Sequence, residues 1–248
     1  MGILGKLFDF LLSDDIVDEK TTEEKSGTEK PVENVVKKEK LDFDNLKYGT
    51  FKGEPIFWKP FKGHRSDSGG MVYVAAKPLF WRAFNQFDSS KRAEVNIWKT
   101  STLREYLNGE FYETCFSEDE KKYILAVNTE AFGNTVRDAY GRKTIVKVRT
   151  MDNVSLPPSS IKRYSNFHCG GSYWTRDACV KYRNKDSMWN LIICTKDEET
   201  CADGMEDSDW LSVVCVEGDT ILGLSADKEI GVRPMIKLST QIINDQYF

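Results

Sequence analysis

Two stretches near the C-terminal end of the sequence carry arginines among aromatic and apolar residues. Ser172–Asp177 contains Trp174 and Arg176, and Gly231–Leu238 contains Arg233. Both patterns are typical of β-strands. Neighbouring strands can place two guanidinium groups near one aromatic face, where they would hold a carboxylate or stack on a ring. Trp174, Arg176 and Arg233 are therefore the candidate ligand-binding residues.

The same three residues have a structural alternative. A tryptophan of this kind can pack in a core, and a buried arginine can pair with an aspartate or a glutamate. The residue types alone do not separate a pocket from a core, so both interpretations stay open.

Metal-binding and redox patterns are weak. The sequence contains six cysteines and two histidines but no C-x-x-C pair. This pattern favours free thiols in a reducing compartment, with a structural metal or a set of disulfides as the alternative. An acidic run could bind a cation, although such runs are usually solvated; it comprises Asp203, Glu206, Asp207 and Asp209. We predict no metal site and no cofactor.

Catalytic signatures are equally scarce. His64 lies in a glycine-rich turn and His168 precedes a Gly-Gly loop, and neither is near a nucleophile elbow. No glycine-rich loop of the phosphate-binding type precedes a helix. The sequence identifies no catalytic residue, and a non-enzymatic role is favoured.

The composition limits the class of protein. The chain has 248 residues, of which 40% are hydrophobic and 12% aromatic, sufficient for a core. Its 35 basic and 39 acidic side chains leave a net charge of -4, so no nucleic-acid partner is expected. No apolar run reaches the roughly 18 residues of a spanning helix. The first apolar run meets Ser13-Asp14-Asp15 instead of a cleavage site, which predicts a cytoplasmic protein.

The chain is predicted to have two N-terminal segments and one domain. Residues 1–13 predict a short amphipathic helix, because leucine and isoleucine recur four residues apart. This helix would dock on protein or, alternatively, make weak peripheral contact with a membrane surface through residues 1–12. Residues 14–40 lack aromatic residues and interleave acidic side chains with lysines, which predicts a disordered linker. Residues 41–248 form a single globular domain.

The domain is expected to begin with strands and to continue with two helices. Alternating runs between Leu46 and Ala76 are separated by turn residues and predict an antiparallel meander. The spacings Thr102–Glu105 and Ser117–Glu120 are those of capping boxes and predict two helix starts. Shorter strands follow, and Gly231–Leu238 is predicted to be the final strand.

Several of these segments resemble one bacterial family of uncharacterised proteins, the domain of unknown function 6273. The resemblance covers about Leu41 to Leu238, and its most specific part is the helical block. The chain departs from the family at Thr175, where the family has leucine, and at Asp177-Ala178, where it has Ser-Pro. The matching segments are Leu46–Gly49, Gly53–Trp58, Thr100–Asn108, Phe111–Tyr112, Cys115–Lys121, Tyr173–Arg176 and Gly231–Met235.

The resemblance implies an α+β fold of the C-type-lectin-like kind, an architecture also attributed to formylglycine-generating enzymes. In this fold two helices are followed by a loop-rich region and a small antiparallel sheet, and the last strand returns beside the first. A metal-dependent oxidase is one implied alternative. Copper would then need Cys194 and Cys201, or Cys201 and Cys215, and neither pair lies in the recognisable oxidase motif.

The leading functional prediction is a non-enzymatic binding module that presents loops to a protein or a glycan. The loop surface would comprise about residues 128–190 and 195–209. The formylglycine-generating type of oxidase and a peripheral membrane adaptor are the two alternatives.

Overall fold

The chain divides into two units, Met1–Lys38 and Glu39–Phe248. A computed structural model describes residues of the second unit, namely 42, 44–61, 69–86, 96–134, 145–183, 189–193, 209–218, 220–242 and 245. The predicted N-terminal helix (1–13) and linker (14–40) lie outside these residues. So do His64, Cys194, Cys201 and the acidic residues Asp203, Glu206 and Asp207.

Thirteen strands occur in the described residues, in sheets of five, six and two strands. The strands are β1 (Leu46–Phe51), β2 (Glu54–Pro60), β3 (Gly70–Ala75), β4 (Phe80–Ala83), β5 (Val127–Asn134), β6 (Ile145–Asp152), β7 (Val154–Ser155), β8 (Ser172–Arg183), β9 (Trp189–Ile193), β10 (Asp209–Glu217), β11 (Thr220–Ser225), β12 (Glu229–Val232) and β13 (Met235–Ser239).

The five-stranded sheet has the order β1-β2-β3-β13-β7. Its first three strands pair antiparallel, which confirms the predicted meander. Strand β2 shows the expected alternation, because Ile56 and Trp58 are buried while Phe57 between them is exposed. Pro60 is the last residue of β2 and lies beyond the residues paired with β1, so its missing N–H removes no bond of that ladder.

The six-stranded sheet has the order β11-β10-β8-β12-β4, and β9 also pairs with β8. Strand β12 pairs antiparallel with β4 and meets β8 at a single parallel pair, Gly231 with Tyr173. A Cβ atom at Gly231 would lie 2.6 Å from the carbonyl oxygen of Ser172. A side chain at this position would therefore force the two strands apart.

The predicted final strand is wrong as a single element. Residues 231–238 contribute to β12 in the six-stranded sheet and to β13 in the five-stranded sheet. The chain changes sheet at Arg233-Pro234, where proline has no N–H to donate to a ladder.

One helical run is longer than a single turn in the described residues. It consists of α1 (Thr102–Tyr106), a π-helical turn (Leu107–Phe111) and α2 (Tyr112–Cys115). The side chain of Ser101 caps α1, one residue before the predicted start. The second predicted capping box is confirmed, because Ser117 and Glu120 satisfy each other's backbone N–H groups, but α3 (Glu118–Lys121) is only one turn long.

The predicted fold class is therefore wrong. The described residues do not form two helices followed by a loop-rich region and a small sheet. Strands dominate these residues, and 11 of the 13 strands belong to the two large sheets. The last strand, β13, lies between β3 and β7 and not beside β1. Pairing with distant segments makes some strands longer than their sequence pattern suggests. Strand β8, for example, extends over 12 residues.

Part of the predicted loop surface is a hairpin. Residues 127–134 and 145–152 form the antiparallel pair β5 and β6. Glu130 on β5 accepts from Lys147 at 2.6 Å and from Arg149 at 3.3 Å on β6. These two segments of the predicted loop surface are therefore strands, whereas residues 156–171 contain 3-10 turns and no strand.

The buried apolar residues form two clusters. The larger cluster contains Trp58, Trp98 and Trp174. The smaller cluster contains Tyr173 together with side chains of the 3-10 turns Ser159–Arg163 and Ser165–Phe167, including Phe167.

Candidate functional site

Arg233 lies at the point where the chain crosses between the two large sheets. Its side chain is 0% exposed. The guanidinium donates to three backbone carbonyls: Nε to Ala75 at 2.6 Å, Nη1 to Phe167 at 2.5 Å and Nη2 to Ala76 at 3.2 Å. The rings of Phe167 and Tyr173 lie 5.4 and 5.0 Å from its Cζ atom. These contacts connect the end of β3 with the turn at Phe167.

Arg176 has a different set of partners. Its Nε donates to the carbonyl of Glu130 at 3.1 Å and its Nη1 to the carbonyl of Leu156 at 2.8 Å. Burial lowers the pKa of the guanidinium, and the carboxylates of Asp177, Asp152 and Glu130 oppose that shift. Arg176 therefore joins β8 to β5 and to the segment after β7.

Trp174 is fully buried in the larger cluster. Its Nε1 donates to the carbonyl of Arg82 at 2.9 Å, and its ring meets Phe84 edge to face at 6.1 Å. The three predicted residues thus have separate partners, and both arginines donate to carbonyl oxygens rather than to carboxylates. Their ligand-binding role stays a prediction.

The helical run is fixed by one buried carboxylate that the sequence alone did not single out. Asp152, at the end of β6, accepts from Arg104 Nε at 2.7 Å, from Trp98 Nε1 at 2.9 Å and from Thr150 Oγ1 at 2.7 Å. Asn108, four residues after Arg104 in the helical run, binds the backbone of Val154. Its Nδ2 donates to the carbonyl of Val154 at 2.8 Å, and its Oδ1 accepts from the Val154 N–H at 3.1 Å.

The segment Leu46–Gly49 and the second capping box are joined by hydrogen bonds. The Tyr48 hydroxyl donates to the carbonyl of Glu120 at 2.5 Å, and the Gly49 N–H donates to a carboxylate oxygen of Glu120 at 2.8 Å. Gly49 has φ of +69°, and a Cβ atom there would lie 2.7 Å from the carbonyl oxygen of Cys115. Burial raises the pKa of Tyr48, and the charge of Glu120 adds to that rise.

Comparison with known families matches this helical region. The model of a family described as a domain of unknown function, DUF6273, matches residues 73–157. The predicted resemblance to this family is confirmed. The DUF6273 match includes Tyr73–Ala75 of β3, strands β4 to β7 and the helical run, and therefore Asp152 and Asn108 with their partners. It is shorter than the predicted range of Leu41 to Leu238. No curated protein and no solved structure matches the chain.

The DUF6273 match also includes the most exposed large apolar side chain of the described residues, Trp81, which is 65% exposed. Trp81 lies on β4, the outermost strand of the six-stranded sheet. None of the described strands pairs with the outer side of β4. The sequence analysis missed Trp81, although its Phe-Trp-Arg surroundings between two turns resemble a short strand.

Aromatic and cationic side chains lie beside Trp81. Because successive side chains of a strand alternate, Phe80 and Arg82 point to the face opposite to Trp81. Both contact Tyr106 of α1: the Arg82 Cζ is 4.1 Å from the centre of its ring, and the Phe80 ring is 5.4 Å away. All three side chains are only partly buried. We call β4 together with Tyr106 the β4 edge.

Neither a membrane-spanning helix nor a metal-binding cluster occurs in the described residues. In the described part of the chain, no helix is long and apolar enough to cross a membrane. Likewise, the described residues contain no group of three or more His, Cys, Asp or Glu side chains arranged to hold a metal ion.

Proposed function

We propose that the domain is a non-enzymatic interaction module that binds a segment of another protein at the β4 edge. The observation that carries the proposal is the exposure of Trp81 on an outermost strand. An unpaired strand edge offers backbone N–H and C=O groups to an added strand, and natural proteins usually protect such edges. Trp81 would provide a large apolar anchor on one face of that added strand.

The composition of the β4 edge supports a protein partner over a glycan. Tryptophan, tyrosine and arginine are the residue types most enriched among the side chains that dominate binding energy at protein interfaces. All three occur here: Trp81 is exposed, and Tyr106 and Arg82 lie partly buried beside the opposite face of β4. An extended peptide would use both faces because its own side chains alternate.

One observation disfavours the oxidase alternative. Cys215 is 0% exposed and packs in the larger apolar cluster, and burial raises the pKa of its thiol to about 11. Cys194 and Cys201, the other cysteines of that hypothesis, lie outside the described residues. The membrane-adaptor alternative depends on residues 1–12, which also lie outside them.

Photocrosslinking in the host cell tests the proposal. A photoreactive phenylalanine would replace Trp81 in the full chain, or Met151 as the matched control, because Met151 is a similarly exposed apolar residue (63%) on β6. We expect a discrete protein adduct from position 81 and none from position 151. An adduct of twice the chain mass would identify a second copy of this chain as the partner.

The partner identified in this way then allows a quantitative test. Trp81→Ala should weaken its binding by about 2 kcal/mol or more, as expected for an interface anchor. Met151→Ala should leave the affinity nearly unchanged. Equal adducts from both positions, or none from either, would refute the proposal.

A further inference from the structure

Arg233 carries its positive charge in the interior without a carboxylate partner among the described residues. Its side chain is 0% exposed, and its hydrogen bonds go to the carbonyls of Ala75, Ala76 and Phe167. A guanidinium has five N–H donors; three bind these carbonyls and a fourth can reach the oxygen of Tyr173, so one or two donors have no described acceptor. Buried charges in proteins are normally paired, because an uncompensated charge is costly to remove from water.

Tyr173 provides another unused donor beside this guanidinium. Its side chain is 1% exposed, and its hydroxyl is one of two buried side-chain groups in the described part of the chain that have no hydrogen-bond partner. Its ring centre lies 5.0 Å from the Arg233 Cζ atom. Burial raises the pKa of this phenol to about 12 while Arg233 opposes that rise, so the hydroxyl keeps its proton at neutral pH.

We propose that Arg233 and Tyr173 bind a buried monovalent anion of halide size, which would be chloride in the cell. A group that accepts hydrogen bonds from every side satisfies both the spare guanidinium donors and the phenol. A single negative charge balances the single positive charge of Arg233. Because both side chains are enclosed, the site excludes the carboxylate of a peptide or the phosphate of a macromolecule.

The anion site is separated from the β4 edge by strand β12, because Gly231 pairs with Tyr173 on one side and with Trp81 on the other. Arg233 lies where the chain crosses between the two large sheets, next to Tyr173 and Phe167 of the smaller apolar cluster. Neither the Arg233 nor the Tyr173 side chain is accessible to a partner. The anion would therefore stabilise the connection between the two large sheets and take no part in recognition at Trp81.

Halide-dependent unfolding of the purified full chain tests the proposal. The protein is dialysed into sodium gluconate, and gluconate is then replaced by chloride or bromide at constant ionic strength. Above the dissociation constant, each tenfold increase in halide should raise the ratio of folded to unfolded protein about tenfold, as for one ion bound only by the folded state.

Tyr173→Phe removes the hydroxyl and keeps the ring. A hydrogen bond to a charged group is worth enough to raise the halide dissociation constant by roughly 10- to 100-fold in this variant. Tyr48→Phe is the matched control, since Tyr48 is also buried but donates to the carbonyl of Glu120. Its halide response should equal that of the wild type.

Crystals grown in bromide provide the second measurement. An anomalous peak within hydrogen-bond distance of Tyr173 Oη and an Arg233 Nη supports the proposal, including the case in which the ion binds too tightly to be removed by dialysis. The absence of a peak, or an equal halide response in wild type and Tyr173→Phe, overturns it; the polar groups would then be satisfied by water.

Discussion

Replacement of Asp152 should separate a charged interaction from two neutral ones. Asp152 is buried, and one of its oxygens accepts from Arg104 while the other accepts from Trp98 and Thr150. In Asp152→Asn the remaining oxygen can keep Trp98 and Thr150, and the new amide then faces Arg104. The loss is one hydrogen bond to a charged group, which is worth about 2 kcal/mol. The Arg104 side chain is partly exposed, so water can solvate part of the guanidinium.

Asp152→Ala removes all three interactions. It leaves the Trp98 and Thr150 donors buried without acceptors, and each such donor costs about 1–3 kcal/mol. The total loss should therefore be about 4 kcal/mol or more, at least twice that of Asp152→Asn. Urea unfolding monitored by circular dichroism measures both values, and an unchanged dependence on urea would show that the same surface is exposed on unfolding.

The control is Asp119→Asn on α3, whose carboxylate forms an exposed ion pair with Lys122. It should leave stability almost unchanged, because exposed pairs contribute little. If the losses in free energy of unfolding of Asp152→Ala and Asp152→Asn differ by less than about 0.5 kcal/mol, the two neutral donors contribute nothing and the prediction is refuted.

Three further predictions concern Asn108, Gly49 and two buried cysteines. Asn108→Asp places a carboxylate oxygen against the Val154 carbonyl in place of a donor and should cost about 2–3 kcal/mol in urea unfolding; a neutral result would contradict the assigned amide orientation. Gly49→Ala should cost more than Gly53→Ala, for which strain of about 1–2 kcal/mol is expected, because both have positive φ but only Gly49 has Cys115 within 2.7 Å. Burial raises the thiol pKa of Cys115 and Cys215 from 9.0 to about 11, so their contribution to stability is complete below pH 9.0 and is lost as the pH rises through 11. Urea unfolding between pH 8 and pH 12 should show that decrease, and a constant free energy of unfolding across this range would contradict it.

The sequence predicts those elements whose signals are local. The antiparallel meander of β1 to β3 follows from alternating runs separated by turn residues, and it is present. The capping box of Ser117 and Glu120 needs only four consecutive residues, and both of its hydrogen bonds form. In each case the information lies within the element and its adjoining turns. A local signal can still fail, because the Thr102–Glu105 spacing predicts a cap at Thr102 and Ser101 forms it instead.

Elements that depend on distant partners could not be predicted in the same way. The run from 231 to 238 looks like one strand, but its two halves pair with different sheets. The length of β8 is likewise set by β10 and β9, which follow it in the chain. Strand pairing over long sequence separations is determined by packing, which sequence periodicity does not record.

The candidate site has the same limitation. Trp174, Arg176 and Arg233 stand out because of their residue types, yet their partners are backbone carbonyls that any sequence could supply. Trp81 has the opposite property. Its residue type suggests a core position, whereas the structure places it on the solvent-facing side of β4, at the end of the sheet order.

Hydrogen bonding within the matched region separates architecture from recognition. Arg104 and Asn108 direct their polar atoms to Asp152 and to the backbone around Val154, so those atoms are not available to a partner. Trp81 lies in the same matched region but presents most of its surface to solvent. A protein that kept the first group and changed Trp81 would therefore retain the fold and lose the proposed anchor. Under the proposed function, fold and recognition could vary independently, because they would depend on different side chains.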